Sequence, residues 1–151
     1  AHAPKITRMC KEAGVICGVH SCGKERYLLE SCYHETDLNY INPLEIEPMG
    51  DCTLKEAADR FGDKLCIMGN LHTTKVMLEG SAELVRLESL RAIRDAGRTG
   101  GFILSTGDQC GRDTPLENIR EMVAVGKEFG RYPLDLGAID EEIARLEKRG
   151  Q

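Results

Sequence analysis

The sequence predicts an α/β fold built from parallel βα repeats. Three observations carry that prediction. Short apolar runs rich in β-branched residues alternate with longer segments of helical periodicity. Glycine or proline punctuates nearly every junction. Each strand run is followed at once by polar and titratable residues. Strands alternating with longer helices imply βαβ units and a parallel sheet. Two architectures satisfy the pattern: a small doubly wound sheet, or part of a (β/α)8 barrel. A whole barrel takes about 250 residues, more than the 151 present. Periodicity alone does not choose between them.

Each element has a local reason. Pro4 to Ala13 reads as a helix stopped by Gly14. Val15 to Val19 is apolar, β-branched and too short for a helix, so it reads as a buried strand. Lys24 to Tyr33 is helical, with Leu28, Leu29 and Cys32 on one face. Asp37 to Ile41 reads as the second strand, ending at Asn42-Pro43. Thr53-Leu54-Lys55-Glu56 is a capping box that opens a helix running to Phe61 and Gly62. Leu65 to Gly69 is the third strand. Thr73 to Leu78 reads as a short helix before Gly80. Ser81 caps a longer helix through Ala96, with Leu84, Leu87, Leu90 and Ile93 at helical spacing, and Gly97 ends it. Gly101 to Ser105 is the fourth strand. Thr114-Pro115-Leu116-Glu117 is a second capping box, with proline at the first helical position. That helix continues to about Phe129. Arg131 to Gly137 is rich in turn residues, and Asp140 to Lys148 is a charged terminal helix.

Composition bounds the function. The chain is 41% hydrophobic and 30% charged, ordinary for a single globular domain spanning residues 1–151. Its net charge of −5, with no basic tract, opposes nucleic-acid binding. No apolar run is long enough to span a membrane. No signal peptide is evident, and the opening residues read as the interior of a longer sequence. Seven cysteines are scattered without a repeating framework, which argues for free thiols in a reducing cytoplasm.

The segments after the strands hold the chemistry. His20-Ser21-Cys22-Gly23 follows the first strand. On an extended segment His20 and Cys22 project to one face, and an imidazole beside a thiolate makes half of a zinc site. The plainer alternative is a core cysteine beside a hydrogen-bonded histidine. Asn42-Pro43-Leu44-Glu45 follows the second strand, and Gly69-Asn70-Leu71-His72 the third. Thr106-Gly107-Asp108-Gln109-Cys110-Gly111-Arg112-Asp113 follows the fourth. Parallel strands deliver all four sets to one rim, the arrangement catalysis uses in barrels.

Val19-His20-Ser21-Cys22-Gly23, Ile67-Met68-Gly69-Asn70-Leu71 and Gly101-Phe102-Ile103-Leu104-Ser105-Thr106-Gly107, running on into Asp113-Thr114-Pro115-Leu116-Glu117-Asn118-Ile119, resemble the uroporphyrinogen decarboxylase superfamily in order and spacing. That superfamily includes porphyrinogen decarboxylases and zinc-dependent methyltransferases acting on corrinoid proteins or thiols. The resemblance runs from about Pro4 to Gly130. It implies a (β/α)8 TIM barrel of which this chain supplies the last four strands with their helices, roughly the C-terminal two-fifths of such an enzyme. It further implies that the N-terminal half, with whatever catalytic groups that half supplies, is missing from the chain.

In the methyltransferase branch, the resemblance implies zinc held by His-x-Cys and by a cysteine after the last strand. His20 and Cys22 match the first two positions. With Gly107 and Thr114-Pro115 as anchors, the third falls on Asp108, and Cys110 lies two residues on. Either side chain is an acceptable ligand. The implied reaction is methyl transfer from a corrinoid, on a partner protein, to a thiol. The decarboxylase branch of porphyrin biosynthesis carries an aspartate and a histidine where this chain has His20-Ser21-Cys22 and Asp108, and its polycarboxylate substrate favours arginines, of which this rim offers Arg112. Asn70, His72, Arg112 and Glu45 are candidate small-molecule substrate contacts. Their plainer readings are a strand-end hydrogen bond for Asn70, a cap or solvated role for His72, a pair with Asp113 for Arg112 and a loop carboxylate for Glu45. Glu45 also reads as a further ligand or general base. Cys10, Cys32, Cys52 and Cys66 read as packing thiols, and Glu141, Glu142, Arg145, Glu147 and Lys148 as a solvated helix face. A half-barrel has two open edges and bare inward residues such as Val15, Ile67 and Ile103, so the chain is expected to form a homo-oligomer or to need its missing half, and to be inactive alone. A non-catalytic assembly or binding module is the alternative from a different class.

Overall fold

The structure, a computed structural model, describes residues 2–149. Its elements are α1 (Ala3–Glu12), β1 (Gly18–His20), α2 (Arg26–Glu35), β2 (Tyr40–Leu44), α3 (Leu54–Phe61), β3 (Cys66–Leu71), α4 (Ala82–Ala96), β4 (Phe102–Thr106), α5 (Leu116–Phe129) and α6 (Leu136–Arg149). A π-helical turn, Thr73–Leu78, precedes α4, and a 3-10 turn, Gly97–Thr99, follows it.

The strands form one parallel sheet in the order β1-β2-β3-β4. That order decides between the two architectures. A doubly wound sheet reverses direction at a switch point, which sends helices to both faces. Here every crossover steps the same way, and right-handed crossovers then lay all the helices on one face. Burial agrees with this. Ile41, Leu44, Ile67 and Leu71 are buried beneath the helices, while Tyr40, Asn42, Met68 and Asn70 are only half-buried on the other face. The sheet is a barrel segment with its inner face bare.

Two apolar clusters hold the helical layer to the sheet. One joins Leu29 of α2, Ile41 and Leu44 of β2, Phe61 of α3, Ile67 and Leu71 of β3, and Met77 and Val85. The other joins Leu90 and Ile93 of α4 to Val125 of α5 and to Ile139, Ile143 and Leu146 of α6. Each fully buried aliphatic side chain contributes about 1.5–3 kcal/mol. Phe102 and Leu104 of β4 pack against both clusters.

Several elements depart from the sequence expectations. The first strand is confined to Gly18–His20. Val15 and Ile16 are 55% and 76% exposed, because they approach the open edge of the sheet where nothing covers them. Ile103 is likewise bare at 45%, but Ile67 is fully buried: its register partner Phe102 and the helices lie on its side of the sheet. The second strand starts later and continues through Pro43 to Leu44. Thr53 caps α3 by accepting a bond from the Glu56 amide at 3.1 Å. The Glu56 carboxylate instead takes Arg26 (Nη2 to Oε2, 3.0 Å), so the box closes on one side only. Ser81 caps α4 through the Leu84 amide at 3.2 Å. The box expected at Thr114 does not form. Pro115 stays extended at ψ 129°, α5 begins at Leu116, and the Thr114 hydroxyl is buried without a partner.

The terminal helix starts four residues earlier than expected, at Leu136, with Asp135 Oδ1 accepting the Ala138 amide at 3.0 Å. Its acidic face is engaged rather than simply solvated. Arg86 of α4 donates to Glu121 (3.1 Å) and Glu128 (2.9 Å) of α5 and to Glu142 (2.8 Å) of α6, and Arg91 donates to Glu147 (2.6 Å). Among the described residues no helix is long and apolar enough to cross a membrane. All seven cysteines are free thiols, and Cys32 and Cys52 are buried in the core.

Candidate functional site

Backbone geometry brings the rim groups together. β1 ends at His20, and the Ser21 amide then donates to the Asn42 carbonyl at 2.9 Å, which keeps the following loop against the end of β2. Cys22 lies beyond the strand itself, yet its Sγ sits 3.4 Å from His20 Nε2. Asp108 arrives from the opposite edge of the sheet. The Gly107 amide donates to the Leu71 carbonyl at 2.7 Å, and Thr106 Oγ1 donates to the Asp108 carbonyl at 2.6 Å, so the turn after β4 is pinned. One ligand atom each from His20, Cys22 and Asp108 lies within 4.8 Å of the others. The first and last strands of the sheet thus converge their terminal residues, as barrel curvature requires. Cys110 is outside this trio: it is half-buried and packs against the larger apolar cluster.

The trio borders an open cavity of about 510 Å³ on the bare face of the sheet, also lined by Asn42, Met68 and Ser105. Burial, then the charges of Asp108, Glu45 and Glu25, push the Cys22 thiol up from its ordinary value. A second cavity of about 440 Å³ lies beside α3 and α4. Its arginines are already engaged, Arg26 by Glu56 and Arg91 by Glu88 and Glu147, and none of the trio lines it.

The loop behind Cys22 is held by carboxylates. Glu45, at the end of β2 and nearly buried, accepts the Gly23 amide. Gly23 has φ +101°, a conformation that glycine adopts without steric cost, and it aims this amide back at Glu45. Asp51 Oδ1 accepts the Arg26 amide at 3.0 Å. Glu45 is therefore a loop carboxylate, as in the plainer reading, but a nearly buried one that anchors the Cys22 loop. Between them sits Glu25, which the sequence reading passed over. Its residue is 0% exposed, and neither carboxyl oxygen has a partner. Burial first, then Glu45 and Asp51, raise its carboxyl to about 7.

The remaining candidates take local roles. His72 is buried and its Nδ1 accepts the Thr74 and Lys75 amides at 3.1 and 3.3 Å, capping the π-helical turn. Asn70 is half-buried on β3 and borders the second cavity, not the one beside Cys22. Arg112 is 94% exposed and lies 3.6 Å from Asp113.

A family model described as uroporphyrinogen decarboxylase matches residues 2–129. No curated protein matches the sequence. Among solved structures, a methyltransferase from Methanosarcina mazei superposes with a TM-score of 0.65 at 20% identity, over 84% of this chain. The chain spans 35% of that structure's length. At that identity the likeness is one of fold, and it agrees with the partial barrel seen here. The family model covers most of the sequence: the chain belongs to the uroporphyrinogen decarboxylase family.

Proposed function

We propose that this chain carries the metal-binding rim of a zinc-dependent methyltransferase, with His20, Cys22 and Asp108 as ligands and Cys110 as the alternative third donor. The observation that carries the reading is the convergence of the three side chains within 4.8 Å at the ends of the two edge strands. Their chemistry fits the ion. Zinc bonds of about 2.3 Å to sulfur and 2.0 Å to nitrogen in a tetrahedron separate those two ligands by roughly 3.5 Å, and Cys22 Sγ and His20 Nε2 stand 3.4 Å apart. Three protein ligands leave a fourth position for substrate. Zinc, when bound, would lower the pKa of an entering thiol and so supply a nucleophile at neutral pH.

The chain's own residues prepare the site. Glu45 fixes the Cys22 loop through Gly23, and the pinned turn after β4 holds Asp108 in reach. Asn42 and Ser105 offer hydrogen bonds within the cavity. The methyl donor in this reading is a methylated corrinoid carried by a partner protein, and the free thiols suit a cytoplasmic enzyme. The decarboxylase reading of porphyrin biosynthesis is less well supported, since among the described residues no arginine or lysine lines the cavity, and Arg112 is in solvent. A non-catalytic binding module remains the contrast case.

Metal analysis after zinc addition tests the reading. The expected result is about one zinc per chain, most of it lost in Cys22→Ser. Asp108→Asn should release the metal while Cys110→Ser keeps it; the reverse order would move the third ligand to Cys110. A wild-type chain that takes up no zinc would refute the site.

A further inference from the structure

We propose that the cavity beside His20, Cys22 and Asp108 selects a substrate with positive charge near its reacting atom, an aminothiol, over carboxylate, sulfonate or phosphate analogues. The inference deepens the methyl-transfer reading and rests on it for the identity of the reacting sulfur.

The lining residues carry the argument. The cavity of about 510 Å³ is bordered by Asn42, Met68, Ser105 and Gln109 along with the trio, and none of its lining residues is lysine or arginine. Asp108 is its carboxylate. Directly behind Cys22, Glu45 places a second carboxylate on the Gly23 amide. Cations of the adjoining loops are turned away. Lys24 is exposed and lines no part of the cavity. Arg112 is in solvent beside Asp113, and Arg26 is held by Glu56.

Loading the site does not reverse this balance. With a divalent cation bound, the Cys22 thiolate and the Asp108 carboxylate would offset its two charges. The incoming sulfur, as a thiolate, then adds a negative charge, and Glu45 contributes another. An ammonium two or three bonds from that sulfur enters an attractive field, and the Asn42 and Ser105 oxygens can accept its hydrogens. A carboxylate or sulfonate in the same place is repelled and finds no lysine or arginine among the described residues that line the cavity. Partly desolvated charges at such separations shift binding by roughly tenfold.

The test uses the zinc-loaded chain, with metal content measured first. Calorimetry with cysteamine, 2-mercaptoethanol and 3-mercaptopropionate across pH 7 to 9 allows each thiol's own ionisation to be divided out. Cysteamine should bind about tenfold more tightly than 3-mercaptopropionate, with 2-mercaptoethanol between them. The preference should shrink in Glu45→Gln, whose amide oxygen can still accept from Gly23. It should also shrink in about 1 M salt, where the Debye length falls to about 3 Å. Equal intrinsic affinities would overturn the proposal. So would a preference for the carboxylate, no measurable binding of any of the three, or a preference that neither Glu45→Gln nor salt reduces. A chain that binds no zinc would refute the parent reading as well, whereas zinc uptake without charge preference overturns charge selection alone.

Discussion

Glu25 should make the fold less stable as pH rises through neutrality. Its carboxyl ionises at about 7 in the folded chain against an ordinary 4.5. The cause is burial without a partner for either oxygen, reinforced by Glu45 and Asp51. Well below pH 4.5 the group holds its proton in both folded and unfolded chains and adds no pH dependence. Between 4.5 and 7 the unfolded chain releases the proton while the folded chain retains it, so stability falls with rising pH. Above 7 the loss is complete. A gap of about 2.5 pH units corresponds to about 3 kcal/mol, a large share of the roughly 5–15 kcal/mol that holds a domain together. Urea unfolding of the metal-free chain and of Glu25→Gln, followed by far-UV circular dichroism at pH 4 to 8, measures the effect. Because a buried amide has costs of its own, the informative quantity is the stability difference as a function of pH. It should move in favour of glutamine by about 3 kcal/mol across that range. A difference that stays constant from pH 4 to 8 would show that Glu25 ionises normally and that the account of its burial is wrong.

Other expectations follow from particular contacts. Arg86→Met should cost about 2–3 kcal/mol, because it leaves Glu121 and Glu128 without that cation and Glu142 with Arg145 alone; hydrogen exchange should show α6 losing protection, and unchanged protection would remove Arg86 from its role as the clamp of α4, α5 and α6. Arg145 and then Arg86 hold the Glu142 carboxyl down to about 2, so its contribution is present above pH 4.5 and fades as the pH falls toward 2; in Glu142→Gln that loss on acid titration should disappear. Gly69→Ala should destabilise by more than about 2 kcal/mol, since Gly69 has φ +148° and a Cβ there would lie 2.8 Å from the Leu44 carbonyl oxygen; a wild-type urea midpoint would refute the close approach of β2 and β3. The bare sheet face and open edges at β1 and β4 predict self-association, with two copies closing each other's edges; light scattering that finds a stable monomer near 16.7 kDa at micromolar concentration would overturn this.

Much of the fold was legible because its signals are local. Thr53 and Ser81 sit a fixed distance before the amides they cap, so the motif can be read without knowing what surrounds it. The alternation of β-branched runs with helical periodicity likewise depends only on near neighbours. His20 and Cys22 were visible as a pair because two residues on an extended segment share a face. Thr114 followed the same capping pattern and failed, since the turn before α5 leaves Pro115 extended and the helix one residue late.

The element types, most of the caps and the set of rim residues from which the site is drawn follow from local sequence. Which of those residues meet is settled by the packing of the whole chain. Asp108 and Cys110 lie two residues apart on one loop, and the curl of the sheet, set by four strands at once, brings the first to His20 and Cys22 and leaves the second half-buried against the larger apolar cluster. Strand parity states that Ile67 and Met68 face opposite ways, but only the sequential strand order and the helices laid on one side say which is buried. Glu25 looks like any acidic residue at a helix start, where solvent is the ordinary environment. It becomes a bare buried carboxyl because the segments carrying Glu45 and Asp51, twenty and more residues away in sequence, fold over it. Burial and field sum over the whole fold, and no window of sequence contains that sum.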